Sequence, residues 1–396
     1  MSSAVVSASF VSALIVSTAF AGSLADPLND SIPGEISGRV QFLGMHRDFE
    51  HGLSGSNATL GTLLGYDSPQ FGTFDFGVAY NHAFELFDGG DTAILLNDDI
   101  NVLNEAWFRV RPDGGVFDDI ALTAGRKTIH GEVFREDDYR QKARSVEGLE
   151  ITSTAFENLT LSAGHALRMS NWIDLGDRWD FNNFGDVFGT GYDTDGLTWL
   201  EGGYTGWDKW NVSVFNACAW DIANLTGLRL QHDFCDEAAA IGYYRHEEDV
   251  GRAASRHTDA WGMSYRQKLG AVTIEPGLFS VHGDGLLFQE ATTGINHPLG
   301  VSMLICTKHF DGGARTAFIS ASGKLGRTSL YLLYNYTWRT ATGDTFDAEE
   351  LNLVVKHPVT ENLAVALKTA VGQELGHPGT ADRTLTDARL FVTLAF

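Results

Sequence analysis

The sequence is poor in cysteine, proline and basic residues, and each shortage narrows the classes of protein that it can encode. Its 396 residues include 3 cysteines, 8 prolines and 28 lysines and arginines, against 51 aspartates and glutamates. The formal net charge of −23 argues against a general nucleic-acid binder. No run of about 18 apolar residues follows the N-terminal region, which excludes a helical membrane protein.

The residues that usually bind metals or cofactors lack the required spacing. Cys218, Cys235 and Cys306 fit no metal motif and cannot all pair, so we expect small buried thiols, with a Cys218–Cys235 bridge as the alternative. The acidic stretch 174–195 lacks the D-x-[DN]-x-[DN]-G pattern of a calcium loop, and the 13 histidines include no H-x-x-x-H pair on a helix. No glycine-rich nucleotide motif follows a strand. We therefore predict no metal site and no cofactor.

The N-terminal region carries a secretory signal. Residues 4–21 read AVVSASFVSALIVSTAFA, which is apolar and uncharged and ends in an A-x-A cleavage pattern. We predict a signal peptide over residues 1–21, cleaved after Ala21 or alternatively after Ala25. It departs from the usual pattern because no lysine or arginine precedes the apolar region.

Strict alternation of apolar and polar residues fills the remaining chain. The 44 glycines, 9 tryptophans, 11 tyrosines and 25 phenylalanines suit strands and tight turns better than helices. In LYLLYNYTWR, Leu330, Leu332 and Tyr334 share one face, opposite Tyr331 and Asn335. The same alternation occurs in EISGRVQF (35–42), FDFGVAYNHAFEL (74–86), EAWFRVR (105–111) and NLAVALKTAV (362–371). A period of two indicates half-buried β-strands.

The polar faces favour a membrane barrel over a soluble sandwich. Both folds alternate, but a membrane barrel turns its apolar face to lipid and its polar face to a wet lumen, with aromatic residues near strand ends. Here Trp338 and Phe396 lie near strand ends, and the polar faces mix charged residues with Gly, Ala and Ser. A dry core would not tolerate that mixture. We predict one transmembrane antiparallel β-barrel over residues 35–396, surrounded by the lipid and lipopolysaccharide of a bacterial outer membrane.

The lengths of the links predict the number of strands. Eight short links alternate with nine longer, acidic or glycine-rich links, which gives 18 strands, with 16 as the alternative. An even number returns the C-terminus to the side on which the chain began. One long link, Gly283–Gly313, contains the apolar VSMLICTKHF and is expected either to hide another hairpin or to dip into the barrel.

The last residues, DARLFVTLAF, alternate up to the final aromatic residue. We predict that Phe396 ends the closing strand, beside the strand that begins near Glu35. A terminal aromatic residue on such a strand also resembles the signal that the barrel-insertion machinery reads.

Basic charge is concentrated in one link of an otherwise acidic chain. From Arg126 to Arg144 there are six basic and four acidic residues, a local balance of +2. A barrel of this size encloses a wide aqueous channel that has to be narrowed. We predict that Thr128–Ala143, the third long loop, folds into the lumen, with a solvated ion-paired loop as the alternative. The basic residues are Arg126, Lys127, Arg135, Arg140, Lys142 and Arg144.

The order of motifs around this loop resembles a known family. LGYDSPQFGTFDFGVAY, LNEAWFRVRP, LTAGRK, a charged loop and RSVEGLEI follow one another within roughly residues 35–170, as in the OprD family of substrate-specific outer-membrane porins. Gly125-Arg126 matches the Gly-Arg pair before that family's constriction loop, and Glu147-Gly148 matches the element after it. The resemblance implies a monomeric barrel of the same strand number, inward-folded loops and a ladder of lumen arginines that guides carboxylate-bearing solutes.

Alternation independently supports such a ladder. Guanidinium groups keep their charge and bind carboxylates bidentately, so spaced arginines offer several weak, exchangeable sites. Arg126 shares its phase with Ile120 and Leu122, so a bend would have to turn it inward. The residues on the face away from lipid are Arg39, Arg109, Arg168 and Arg389.

These features predict a non-enzymatic channel for passive diffusion of small hydrophilic solutes, either carboxylate-bearing or other small anionic or zwitterionic nutrients. Sugar transport stays open, because Trp107 and Tyr331 also face inward. The alternatives are an outer-membrane barrel enzyme, a hydrolase or protease, and a non-conducting structural or adhesive barrel. Conductance separates the channel from both, and hydrolysis in detergent identifies the enzyme. Both a monomer and a trimer are compatible with the sequence.

Overall fold

The protein forms one antiparallel sheet that closes on itself. The computed structural model describes residues 32–50, 52, 54–90, 99–112, 114, 119–135, 140–171, 179–251, 255–293, 298–305, 308–341, 344–375 and 382–396. The strands are β1 (Glu35–Phe49), β2 (Ser54–Asp67), β3 (Phe74–Gly90), β4 (Ile100–Val110), β5 (Ile120–Lys127), β6 (Ser145–Phe156), β7 (Leu159–Ser170), β8 (Asn182–Asn183), β9 (Leu197–Tyr204), β10 (Trp210–Ala219), β11 (Ala223–Cys235), β12 (Ala238–Asp249), β13 (His257–Leu269), β14 (Val272–Gly283), β15 (Ala314–Leu325), β16 (Thr328–Ala341), β17 (Asp344–Pro358), β18 (Leu363–Leu375) and β19 (Arg383–Ala395).

Eighteen of these strands make the barrel wall. The two-residue β8 pairs with the end of β7, whereas β7 continues around the wall to β9. The described chain has nineteen strands. Without β8, eighteen strands form the wall, which is the predicted number. Each wall strand is antiparallel to both neighbours, and β1 pairs with β2 on one side and β19 on the other. In the described part of the chain, every wall strand is therefore hydrogen-bonded to a neighbour on both sides.

The predicted position of the C-terminal residue at the closing seam is confirmed. The backbone N–H of Phe396 donates to the carbonyl of Gly38 at 3.0 Å, and the Gly38 N–H donates back at 2.9 Å. The Phe396 ring lies directly over Gly38, where a Cβ atom would collide with it. A glycine is therefore required opposite the last residue of the chain.

The outer and inner faces of the wall follow the alternation. On β16, Leu330, Leu332 and Tyr334 are 38%, 44% and 39% exposed, whereas Leu333 and Asn335 are 0% exposed. Apolar side chains therefore cover the outside, and the inward positions carry the polar residues. This arrangement fits a wall that faces lipid and a lumen that faces water.

Short turns lie at one end of the barrel and long loops at the other. Gly270 and Gly326 open two-residue turns with φ of 63° and 58°. Positive φ at the first turn residue favours glycine and is typical of a type II′ hairpin. Three of the long loops are loop 3 (residues 128–144), loop 4 (171–196) and loop 7 (284–313). No helix in the described part of the chain is long and apolar enough to span a membrane.

The long loops pack into the lumen and form an apolar cluster there. Phe134 of loop 3 meets Trp199 of β9 edge to face at 5.3 Å, and Phe188 of loop 4 meets Phe288 of loop 7 edge to face at 5.0 Å. The loop residues in the cluster include Val133 and Phe134 of loop 3, Phe184 of α1 (Phe184–Val187), and Leu286, Phe288, Leu299, Val301 and Phe310 of loop 7. Their strand partners lie on β6 to β16, so this side of the lumen is filled. Loop 7 dips into the barrel, and its described residues form no further hairpin.

The cysteine prediction was wrong. Cys218 is half-buried, Cys235 is exposed, and both are free thiols, so neither the buried thiol at Cys235 nor the bridge is found. Cys235 ends β11 beside a short turn, where the side chain meets solvent. Cys306 and the predicted signal peptide lie outside the described residues.

Candidate functional site

The tip of loop 3 crosses the lumen and is fastened to β1 and β2. The Arg39 guanidinium donates to the carbonyl of Gln141 at 3.0 Å, across 102 residues of sequence. Gln41 donates to the carbonyl of Arg140 at 2.7 Å, and the Gln141 amide donates to the Thr59 hydroxyl at 2.7 Å. The loop therefore ends against a part of the wall three to four strands away from β5, and it narrows the channel from within.

The base of loop 3 is held by an inward carboxylate on β9. Glu201 accepts hydrogen bonds from the backbone N–H groups of Val133 at 2.7 Å and Glu132 at 3.1 Å. A Cβ atom at position 131 would collide with this carboxylate, which explains Gly131. A charged acceptor that binds two backbone donors makes strong hydrogen bonds, so the descent of the loop is well defined.

Loop 7 is anchored in the same way from β17 and β16. The buried Glu350 accepts hydrogen bonds from the Ser302 hydroxyl at 2.6 Å and the backbone N–H of Leu304 at 3.0 Å. Asn335 donates to the carbonyl of Val301 at 2.7 Å. Both inward loops thus depend on carboxylates and amides that project from distant strands.

The two loops share the backbone carbonyl of Thr292 as a hydrogen-bond acceptor. Thr292 O accepts from the backbone N–H of Arg135 at 3.1 Å and from the guanidinium of Arg144 at 2.9 Å. Arg144 also donates to Asn171 Oδ1 at 2.8 Å, and it is buried. Of the predicted pathway residues, Arg144 therefore connects loops 3, 4 and 7.

Beside loop 3, two guanidinium groups bind one carboxylate, and a third guanidinium group lies near them. Asp387 accepts from Arg389 at 2.7 and 2.8 Å and from Arg47 Nε at 2.8 Å. Arg140 of loop 3 is buried close to this group. Burial lowers the pKa of Arg140 well below its ordinary value, and the positive charges of Arg389 and Arg47 lower the pKa further. Three guanidinium groups and one carboxylate come together here, so basic groups outnumber acidic groups at this constriction.

Further arginines continue towards the short-turn end. Asp75 accepts from Arg109 Nε at 3.0 Å and from Arg111 at 2.9 Å, and the Arg109 guanidinium lies 4.7 Å from the Trp107 ring. Between this group and loop 3 is a cavity of about 340 Å³, lined in part by Arg39. We call the series Arg47, Arg389, Arg140, Arg39 and Arg109 the arginine column.

A second cavity, of about 800 Å³, opens beneath loop 7 at the short-turn end. Lys268, Lys324 and Lys356 line it together with Tyr331, and no carboxylate occurs among the described lining residues. The inward orientation predicted for Tyr331 is correct. This side of the lumen also presents positive charge to the short-turn end.

Two predicted residues at the end of β5 are paired with carboxylates. The backbone bends at Gly125, where φ is 118°, and Arg126 pairs with Glu147 at 2.8 Å with its guanidinium 4.3 Å from the Phe181 ring. Lys127 pairs with the buried Glu150 at 2.8 Å. Gly125 therefore bends the chain directly before Arg126.

Arg168 is not part of the arginine column, and its prediction was wrong. The β6–β7 ladder contains a bulge, since Glu147 pairs with Arg168 while Gly148 pairs with Ala166. The extra residue shifts the phase, so Met169 packs into the lumen cluster and Arg168 is exposed. Simple alternation fails after such a bulge.

Several site residues were missed. On β1, Arg47 lies on the same inward face as Arg39. On β17, Glu350 lies on the same inward face as Asn352. The alternation of each strand would therefore have identified both residues. The buried Arg245, which donates to Gln289 and pairs with Glu247, carried no signal for its contact with loop 7.

Comparisons with known proteins agree with this geometry. Residues 117–299 match a family described as outer membrane porin, OprD family. OccK2 (OpdF) of Pseudomonas aeruginosa is 18% identical with a TM-score of 0.77, over 92% of this chain and 97% of that chain. OccAB4 of Acinetobacter baumannii is 15% identical with a TM-score of 0.76, over 92% of this chain and 98% of that chain. A BenF-like porin of Pseudomonas fluorescens Pf-5 is 17% identical with a TM-score of 0.76, over 92% of this chain and 98% of that chain.

No curated protein matches the sequence. At such identities the solved structures show a common fold, whereas the family match rests on the sequence between β5 and loop 7. That segment contains loop 3, the strands β5 and β6 that it joins, and Glu201 of β9, which holds its base. The family match and the shared barrel together confirm the resemblance of this chain to the OprD family of outer-membrane porins.

Proposed function

We propose that the barrel carries small, carboxylate-bearing solutes across the outer membrane by passive diffusion along the arginine column. The observation that supports this most directly is the group of Arg47, Arg389 and Arg140 around the single carboxylate of Asp387, beside loop 3. In a chain of net charge −23, positive charge is concentrated where the channel is narrowed. An anionic group is attracted to such a constriction because charges there are poorly screened.

The arginine column is also suited to binding a solute weakly enough to release it again. Arg109 and Arg389 already have carboxylate partners, Asp75 and Asp387. A solute carboxylate that reaches the partly exposed Arg109 must compete with Asp75, so the encounter is attractive without becoming a trap, whereas the buried Arg389 acts on the solute through its charge alone. Conduction requires this balance between entry and release.

The filled side of the lumen supports a path near the column. The apolar cluster occupies the side formed by β6 to β16, and the column lies on β19, β1 and β4 with the tip of loop 3. The path therefore runs off-centre, past Arg39 and its cavity. A monomeric state and insertion by the barrel-assembly machinery complete the proposal.

The test is the reversal potential in a planar bilayer under a salt gradient, with Arg39→Glu compared with Arg168→Glu. Arg39 is half-buried and lines the path, whereas Arg168 is exposed on the other face of the wall. We expect Arg39→Glu to shift selectivity towards cations and Arg168→Glu to leave it unchanged. An unchanged reversal potential for Arg39→Glu would refute the proposed path. Hydrolysis assays in detergent test the alternative of a barrel enzyme.

A further inference from the structure

Four polar side chains form a compact group on β12 and β13, at the long-loop end of the wall. His246 pairs with Asp259 across the two strands, and Glu248 pairs with His257 one step further along. Because residues two apart on a strand share a face, all four side chains point to the same side of the sheet.

That side is the outside of the barrel. Tyr244 and Trp261, the neighbouring pair in the same phase, are 44% and 41% exposed. Arg245 and Glu247, in the opposite phase, are 0% and 3% exposed and pair within the lumen. The group therefore has no part in the solute path proposed above.

The donor atoms lie close enough to share one ion. His246 Nδ1 is 3.0 Å from Asp259 Oδ1, and His257 Nε2 is 2.9 Å from Asp259 Oδ2. One donor atom from each of these three residues lies within 4.8 Å of the others. Ligands at about 2.1 Å from a tetrahedral metal ion are about 3.4 Å apart, so small side-chain adjustments suffice.

We propose that His246, His257 and Asp259 bind a divalent transition-metal ion, with Zn²⁺ as the probe, on the outer surface of the wall. Two imidazoles and one carboxylate are a donor set that suits this class of ion. Glu248 Oε2 lies 3.9 Å from His246 Nε2 and adds a second negative charge, so the two carboxylates balance the charge of the ion. Three protein ligands leave a coordination position for water or for Glu248.

The site revises the expectation of no metal site that was drawn from the sequence. That expectation rested on histidines spaced for one helix, whereas these ligands come from two antiparallel strands. The motif is H-x-D on β13 with a histidine directly opposite on β12. The hydrogen bonds between β12 and β13 fix the backbone positions of the ligands, which favours a defined coordination geometry.

The experiment uses the full-length barrel, purified in detergent without a histidine tag and stripped of metal with a chelator. Zn²⁺ is titrated in by calorimetry and by competition with a fluorescent zinc chelator. We expect one ion per barrel, with binding weakened at least about tenfold by His246→Ala or His257→Ala, since losing even an outer-shell partner costs that much. Asp259→Asn, which keeps the shape of the side chain, serves if the alanine variants fail to assemble.

The matched control is His46→Ala. His46 is also exposed near the long-loop end of its strand, but its Nδ1 contacts the Ser56 hydroxyl at 2.9 Å. We expect it to keep full Zn²⁺ affinity. All variants should retain conductance, because the site lies outside the lumen. Failure of the wild-type barrel to bind Zn²⁺, unchanged binding in the His246 and His257 variants, or equal loss in His46→Ala would overturn the proposal.

Discussion

The attachment of loop 7 to Glu350 makes a quantitative prediction. The three hydrogen bonds that Glu350 accepts come from Ser302 Oγ at 2.6 Å, Leu304 N at 3.0 Å and Ile305 N at 3.1 Å. Replacing Glu350 with alanine removes all three without changing the loop itself. We therefore expect Glu350→Ala to release this part of loop 7 from the wall.

The size of the effect follows from the chemistry of the acceptor. A hydrogen bond to a charged group contributes about 1.5–3 kcal/mol, so three set an upper limit of about 4.5–9 kcal/mol. Lumen water can hydrate the freed donors, which recovers part of this free energy. A net loss of about 3 kcal/mol would raise the population of the detached loop roughly a hundredfold.

Single-channel recording provides the measurement. Glu350→Ala should raise the mean conductance or its open-channel noise, whereas Glu350→Gln, which keeps one carbonyl acceptor, should have a smaller effect. Glu349→Ala is the matched control, because Glu349 projects from the other face of β17 and accepts from the Tyr334 hydroxyl at 2.7 Å. Conductance and noise equal to wild type in an assembled Glu350→Ala barrel would show that Glu350 does not hold loop 7 in the path.

Two further predictions concern loop 3 and the closing seam. Removing residues 130–142 should increase single-channel conductance, because the tip that crosses to Arg39 and Thr59 is lost; a conductance no larger than wild type would mean that loop 3 does not limit the channel. Phe396→Ala should lower the heat-modifiable fraction on unboiled gels, because the ring over Gly38 contributes ~2 kcal/mol of apolar contact. Wild-type abundance of the assembled form would contradict this role.

The sequence by itself determined the class of fold. A period of two over many segments predicts strands, and short turns that alternate with long loops give their number and direction. Both signals are local, because each residue's face depends only on its own strand and each turn on its own glycines, as at Gly270 and Gly326. The terminal alternation that ends at Phe396 identified the closing strand for the same reason.

The phase of individual arginines was less predictable. Arg109 and Arg389 face inward as alternation requires, but a bulge opposite Glu147 carries Arg168 to the exposed face. A bulge depends on how two strands pair, and no pattern within one strand reveals it. The pairing of the ladder therefore decided which arginines join the column.

The tertiary structure alone decided where the loops go and which charges meet. The sequence of loop 7 has no periodicity. Its anchor, Glu350, lies on β17, a strand that does not adjoin the loop in the chain. Asp387 meets Arg47 across 340 residues, and only barrel closure brings β1 and β19 together. Buried polar groups must find partners, but their partners come from whichever strands the closed wall places opposite them. The constriction is thus a property of the closed barrel, whereas the barrel wall itself follows from local alternation.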